Sequence, residues 1–374
     1  MPMPRTSRRS PRAQQRGVAI ITALVVVALA AMLVAGMLWR QSVQVRRIEN
    51  QRLIEQAQWV ARGGIDWTRL ILRSEADSMP GVTYLGGIWA VPLARTRLSD
   101  LIGKGAPGSA EAADTYFSGS VEDAQSRFNL RNLVLPFGNG QLQINAAQMA
   151  SFARLLAIVG VDTALAKPIA LQVRASLQHS ATRFQAGAPG QMPAATLGGT
   201  SGTADAGLGG NADGDPLDGD NGPGGDQGGT TGPAPIAMTS VDSLLDVPGV
   251  TPEVVARLRP FVDVLPTAAP VNMNTAPPEV VAALTPGMSL AQAQTFVARR
   301  ATIFFRNTGD VQLALQGAGV PEVTVDSSQI DVTTSYFAVR GHIEYGRATV
   351  DRSSLVYRDP LTHTTRVVRT VDLS

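Results

Sequence analysis

The sequence predicts an α+β chain: one long N-terminal helix packed on an antiparallel sheet, with a large all-α region inserted before the last strands. Three patterns carry that expectation. An apolar run from Val18 to Leu38 passes into residues that keep recurring at helical spacing. Apolar positions repeat at intervals of three to four again from about Asn145, and from Ser335 onward the period switches to two.

The apolar run holds no charge until Arg40. At about 1.5 Å per residue it reaches roughly 30 Å, the thickness of a bilayer core. The leader before it carries Arg5, Arg8, Arg9, Arg12 and Arg16 and no acid. The positive-inside bias keeps such a leader cytoplasmic and places the rest of the chain across the membrane. A cleaved secretory signal would have a shorter apolar core ending in small residues. Ala28-Leu29-Ala30 imitates such a site but falls in mid-run, with Met32, Leu33, Val34, Met37 and Leu38 continuing the segment. Arg8-Arg9 raises twin-arginine export, yet Ser-Pro-Arg follows where an apolar residue is wanted.

Helical periodicity continues through Val45, Ile48, Ile54, Ala57, Ala61, Ile65, Leu70 and Ile71 without a proline, so one helix is expected to reach about Arg73. Trp59, Ile65, Trp67 and Leu70 are expected to pack on the sheet, with Arg46, Arg47, Glu49, Arg62 and Arg69 facing water. Residues 81–107 read as a connection with one or two short strands, including Gly87-Ile88-Trp89-Ala90-Val91-Pro92. Tyr116 to Asp123 alternates as a strand, and Phe128-Asn129-Leu130-Arg131-Asn132-Leu133 follows it.

Met149, Phe152, Leu155, Leu156 and Val159 mark one helix; Ile169, Val173 and Leu177 mark another, with Pro168 as punctuation. Residues 186–235 are dominated by Gly, Ala, Thr, Pro and Asp, a composition that cannot repay ordering by burial and is expected to form a mobile loop. Short helices resume around Val254, Val255 and Leu258, then Val280, Val281 and Leu284, then Ala293, Phe296 and Val297. Three antiparallel strands end the chain, with turns at Tyr345-Gly346-Arg347 and Arg358-Asp359-Pro360-Leu361.

Composition narrows the function. The formal charge of +2 depends on the leader, because without its five arginines 27 basic residues face 30 acidic ones. A nucleic-acid-binding protein concentrates positive charge on its folded part. There is no Cys, and His179, His342 and His363 show no metal-binding spacing. Neither a phosphate-binding Gly-x-x-x-x-Gly-Lys loop nor Gly-x-Ser-x-Gly occurs, so the expectation is a protein that is not an enzyme.

Three strings invite a ligand reading. Leu245-Asp246-Val247-Pro248-Gly249-Val250-Thr251 and Leu284-Thr285-Pro286-Gly287-Met288-Ser289 have the form of helix-hairpin-helix turns. DNA-binding versions place a second glycine where Thr251 and Ser289 stand, so a structural helical hairpin is expected. The acidic tract supplies Asp213, Asp215, Asp218 and Asp220, oxygen ligands of the kind calcium takes. It lacks the closing Glu of an EF-hand and is broken by Pro216, so it also reads as a solvated loop. In Val271-Asn272-Met273-Asn274-Thr275-Ala276-Pro277, Asn274 or Thr275 is expected to cap a helix starting near Pro278, with Glu279 at its positive end.

Taken in order, Arg16-Gly17-Val18-Ala19-Ile20-Ile21-Thr22 with Trp39-Arg40-Gln41, the Phe128 to Leu133 string, and Val271 to Ala276 preceded by Val241 to Gly249 resemble the general secretion pathway protein K family, the large minor pseudopilins of type II secretion. The resemblance covers nearly the whole chain apart from residues 186–235. It implies a pilin-like fold with a large helical insert. It also implies cleavage after Gly17 by a prepilin peptidase and methylation of Val18. The implied place is the inner membrane, with the bulk of the chain periplasmic. The implied partners are two other minor pseudopilins in a tip complex, the major pseudopilin, the inner-membrane assembly platform, and the secretin or an exoprotein, with no nucleic acid among them. Most pilins and pseudopilins carry Glu at the fifth mature position, and here Thr22 stands there. A carboxylate without a partner in an apolar filament is costly, so Thr22 fits a tip position.

Family members are associated with calcium held by acids of the helical insert downstream of a Trp-x-Asp-like string. The corresponding stretch here, Leu171 to Ser180, contains no acid, which leaves the Asp213 to Asp220 tract as the calcium candidate. The expected domains are a leader (1–17), a transmembrane helix (18–40), the first part of a pilin-like domain (41–140), an inserted helical domain (141–325), and the final pilin-like strands (326–374). A type IV minor pilin and an envelope DNA-binding protein are the alternatives.

Overall fold

In the computed structural model, which describes residues 15–102, 114–137, 141–186, 237–321 and 324–373, helix α1 spans Gln15–Ser78. It runs five residues beyond the expected end and stops before Pro80, with Gly81 in the left-handed region at φ +77° turning the chain away.

The face that α1 lays on the sheet differs from the expected one. Ala57, Ala61, Thr68, Leu72 and Ala76 are buried, whereas Trp59 and Leu70 are about two-thirds exposed and Trp67 is 43% exposed. Only Ile65 of the expected four packs inward. Close approach of a helix to a sheet selects small residues, and Gly64 lies on the same face: a Cβ there would sit 2.8 Å from the Phe117 ring. Gly64→Val is therefore expected to destabilise the folded chain by about 1–3 kcal/mol through overpacking. An unchanged unfolding midpoint would mean that this contact is not tight. Arg69, expected in water, donates instead to the Thr365 carbonyl at 2.6 Å.

A 3-10 turn at Ile88–Ala90, not the expected strand, leads into β1 (Leu93–Arg97), α2 (Leu98–Ile102) and β2 (Thr115–Asp123). The turn buries Trp89 edge-on against Phe337, ring centroids 5.4 Å apart. At Asp123 the chain leaves the sheet. It continues through β3 (Phe128–Asn129), a 3-10 turn at Leu130–Leu133, β4 (Val134–Phe137), β5 (Gln141–Ile144), α3 (Ala146–Ile158) and α4 (Ala166–Ala186). Pro168 lies inside the first turn of α4 and does not separate two helices, since a missing N–H costs nothing where none is needed.

The chain is described again from residue 237. A 3-10 turn at Val241–Asp246 precedes α5 (Pro252–Leu258), β6 (Val262–Asp263), β7 (Val271–Asn272), α6 (Pro278–Leu284), α7 (Leu290–Arg300), α8 (Thr308–Gly317) and β8 (Ile330–Asp331). Helix α8 was not among the expected helices; it is short, buries Val311, Ala314 and Leu315, and is started by the Asn307 side chain accepting from Asp310 N at 3.0 Å. The last strands, β9 (Tyr336–Tyr345), β10 (Ala348–Arg358) and β11 (Thr365–Leu373), agree closely with the period-two segments.

The main sheet has the order β1-β2-β9-β10-β11 and is antiparallel throughout. Thus β2 and β9, adjacent in space, are separated in sequence by the whole helical region. That region has its own large core, built on Phe128, Phe152, Leu156, Ile169, Leu258 and Phe296. Between α1 and the sheet the clusters are small, such as Ala57, Ala61, Phe117, Ile343 and Val350. The expected α+β class with a helical insert is the observed one.

Candidate functional site

From Ile20 to Leu38 every residue of α1 is exposed, and one window of this helix has a mean hydropathy of 2.7. Among the described residues this is the one helix long and apolar enough to cross a membrane. A bare apolar surface of this extent calls for lipid or protein around it. Further along, Trp67, Leu70, Ile88 and Val91 form a second exposed apolar area. A cleft of about 230 Å³ opens within it between α1, the Ile88–Ala90 turn and β2, lined by Trp67, Ile71, Ile88, Trp89, Val91 and Phe117.

The polar centre of the molecule lies where the helical region joins the sheet. Asp123, the last residue of β2, is 4% exposed. Its Oδ2 accepts from Thr275 Oγ1 at 2.6 Å, Thr334 Oγ1 at 2.6 Å and Asn272 Nδ2 at 2.8 Å, and its Oδ1 accepts from Gln125 N at 2.7 Å. Asn272 Nδ2 also lies 3.0 Å from the Thr83 carbonyl. One carboxylate therefore gathers the loop after α1, the end of β2, the segment after β7 and the approach to β9. Burial pushes the Asp123 carboxyl above the usual range, against the lowering effect of its four donors.

Two buried arginines flank this carboxylate, each anchored by main-chain carbonyls. Arg358 donates to the Leu72 carbonyl at 3.1 Å and the Thr334 carbonyl at 3.0 Å, and to Thr83 Oγ1 at 2.8 Å. Arg300 donates to the Met273 carbonyl at 2.7 Å. Desolvation lowers Arg300 to about 10 and also lowers Arg358. The Asp123 carboxylate opposes that lowering in both arginines.

Asparagines complete the joint. Asn129 Nδ2 donates to the Thr267 carbonyl at 2.8 Å while its Oδ1 accepts from Leu265 N at 3.1 Å. Asn132 clamps Ala269 in the same way, donating at 2.8 Å and accepting at 3.0 Å. Asn274 clamps Phe305, donating at 2.9 Å and accepting at 2.8 Å. A carboxamide sets a donor beside an acceptor, which matches the C=O and N–H that an extended segment presents along one edge. This arrangement positions strands and holds domains together.

These joints use residues of the Phe128 to Leu133 and Val271 to Ala276 strings. Two family models, both described as type II secretion system (T2SS), protein K, match residues 126–267 and 271–333, together more than half of the chain. The chain belongs to the type II secretion system protein K family. The protein K of Pseudomonas aeruginosa is 27% identical over 352 residues, covering 90% of this chain and 86% of that protein. The protein K of Pectobacterium carotovorum subsp. carotovorum is 22% identical over 359 residues, covering 92% and 93%. In fold, the chain is similar to a chain of the GspK-GspI-GspJ complex of the enterotoxigenic Escherichia coli type 2 secretion system. That match has a TM-score of 0.57 at 14% identity and covers 88% of this chain and 99% of that one.

The residues singled out in the sequence fall in different places. The backbone of Gly17 and Val18 lies near the start of α1, and Thr22 is exposed on the same helix. Asp213, Asp215, Asp218 and Asp220 lie outside the described residues. Among the described residues no three His, Asp or Glu side chains are grouped as metal ligands.

The two Pro-Gly segments turn through Gly249 at φ +87° and Gly287 at φ +79°. Thr251 caps α5, and Ser289 caps α7 with a reciprocal capping box to Gln292, so both residues start helices. The expected capping by Asn274 or Thr275 is a correction. Pro277 stands at the N-cap of α6 with no side-chain bond, while Asn274 and Thr275 face Phe305 and Asp123. Glu279 does lie in the first turn of α6. Asp123, Arg300 and Arg358 were missed; an acid ending one strand and an arginine ending another signal nothing until the segments meet.

Proposed function

We propose that this member of the protein K family is a non-enzymatic minor pseudopilin, anchored in the inner membrane by a single pass with its bulk in the periplasm. In this reading it joins two other minor pseudopilins at the tip of the pseudopilus and assists export of folded proteins through the outer-membrane secretin. The observation that carries the reading is one helix with two surfaces, exposed and apolar for about 20 residues and then packed on a sheet that bears a helical domain.

The parts suit the task. The apolar half of α1 can be stored in lipid and later covered by neighbouring helices, because both surroundings satisfy the same surface. The exposed Trp67, Leu70, Ile88 and Val91 area is where the two smaller partners would bind, apolar contacts with tryptophan being strong anchors. The helical domain makes one end broad and unlike a filament repeat, and Thr22 removes the charge that a subunit above would have paired. The proposed division keeps the leader at 1–17, the span at 18–40 and the final pilin-like strands at 326–374; because the chain leaves the sheet at Asp123 and Phe128 belongs to the core of the insert, the first pilin-like part ends at 123, not 140, and the insert runs over 124–325.

Affinity purification of the full chain from its own cells is expected to bring two smaller pseudopilins with it. Deletion of its gene is expected to abolish exoprotein export while leaving twitching and surface attachment intact. Loss of twitching with normal export would turn the assignment toward a type IV minor pilin. Salt-sensitive binding of DNA by the purified protein would favour the envelope DNA-binding alternative.

A further inference from the structure

The β9–β10 turn ends against α1 at Leu53, about 22 Å along the helix from the end of the apolar run at Leu38. Gly346 bends the chain at φ +56°, and a Cβ on it would lie 3.8 Å from Leu53 of the helix. The contact leaves a cleft of about 530 Å³ lined by Val43, Arg46, Arg47, Asn50, Gln51 and Arg347. Three guanidinium groups and two carboxamides thus line one space, and none of the lining residues is acidic. Glu49 lies 3.7 Å from Arg347. Among the described residues neither Arg46 nor Arg47 forms an ion pair.

The position of this cleft along the helix supplies the ligand. Arg46 lies eight residues past Leu38, about 12 Å at 1.5 Å per residue. Side chains on a helix tilt toward its N-terminus, which here points back to the membrane. The guanidinium groups of Arg46 and Arg47 therefore reach back toward the interfacial layer, roughly 5–7 Å thick on each side of the hydrocarbon core, with Arg347 of the turn beside them. Trp39, 75% exposed, stands at the boundary where interfacial tryptophans collect. Arginine forks match phosphate oxygens, and the carboxamides add donors for a headgroup.

We propose that this cleft binds the phosphate of an anionic phospholipid at the periplasmic leaflet and holds the folded domain upright on the membrane before α1 is withdrawn. The inference rests on α1 being a membrane span. Withdrawal then separates Arg46, Arg47 and Arg347 from the lipid, so lipid binding opposes premature assembly.

The test uses the full chain in detergent, titrated with phosphatidylglycerol or phosphatidylcholine and read by native mass spectrometry. A basic residue at an anionic surface contributes about a fivefold change in binding. The wild-type chain is expected to retain phosphatidylglycerol at least about fivefold better than phosphatidylcholine. Arg46→Gln, Arg47→Gln and Arg347→Gln combined should lose that preference. Arg62→Gln, Arg73→Gln and Arg306→Gln, an equal charge change away from the cleft, should keep it.

Absence of a preference in the wild-type chain, its survival in the first variant, or its equal loss in both variants would overturn the proposal. So would displacement of the lipid by millimolar inorganic phosphate, which would mark a site for a free anion. Resistance to alkaline carbonate extraction from liposomes reports the span separately. An inserted chain without lipid preference overturns only the cleft, whereas an extractable chain overturns the span.

Discussion

Asp123→Ala is expected to lower the thermal unfolding midpoint of the full chain by roughly 5–10 °C, corresponding to about 3 kcal/mol. The substitution leaves Thr275, Thr334, Asn272 and Gln125 aimed at an empty position in a buried joint. It also leaves Arg300 and Arg358 without the carboxylate that offsets part of their desolvation. Removing one member of a buried charged network costs more than the network contributes as a whole, because the remaining groups stay desolvated.

The deficit of the variant should depend on pH in a defined direction. The folded state raises the Asp123 carboxyl above its unfolded value near 3.8, so the folded chain holds that proton more tightly. This contribution is fully present below the unfolded value and is lost as pH rises through the folded one. The difference between wild type and Asp123→Ala should therefore be larger in acid than at neutral pH. Unfolding followed by circular dichroism at several pH values measures it. A midpoint unmoved at every pH would show that the joint does not depend on this carboxylate.

Gly17→Leu is expected to leave the leader attached in nearly all of the protein and to stop export. A residue before a scissile bond at the membrane face must let the backbone approach the peptidase closely, and glycine alone lacks a Cβ. The consequence of a retained leader follows from charge. Arg5, Arg8, Arg9, Arg12 and Arg16 would have to follow α1 into hydrocarbon as it leaves the bilayer. At about 2.5–3.5 kcal/mol for each arginine, the barrier exceeds roughly 10 kcal/mol. Intact-mass analysis of the purified protein reads the first effect and an exoprotein assay reads the second. Normal cleavage and normal export in this variant would refute the processing site.

Elements dominated by local pattern were legible in the chain. Helices α3 and α4 and strands β9 to β11 each expose their period over enough residues to be read directly. The resemblance of Phe128 to Leu133 and Val271 to Ala276 to the family strings was also readable, but the work of the asparagines was not. A helix cap is a local device, and an Asn-Thr pair just before Pro277-Pro278 has the pattern of one. The carboxamides instead bind peptide units of other segments; in Asn129 and Leu265 the partners are 136 residues apart in sequence. The face of α1 was misread for a related reason. Hydrophobicity ranks Trp59, Trp67 and Leu70 as buried, while the distance between helix and sheet admits Ala57, Ala61 and Gly64.

By itself, the sequence determined the long apolar helix with its Arg-rich leader, the helical stretches, the final strands and the family to which they point. The elements follow from composition and periodicity, which are properties of neighbouring residues, and the family from the resemblance of three separate strings. Tertiary structure alone decided which side of α1 meets the sheet, that Asp123 gathers four donors, and that Arg347 comes to lie beside Arg46 and Arg47. Burial and the pairing of distant polar groups depend on how segments meet in space, and that meeting leaves no periodic trace along the chain.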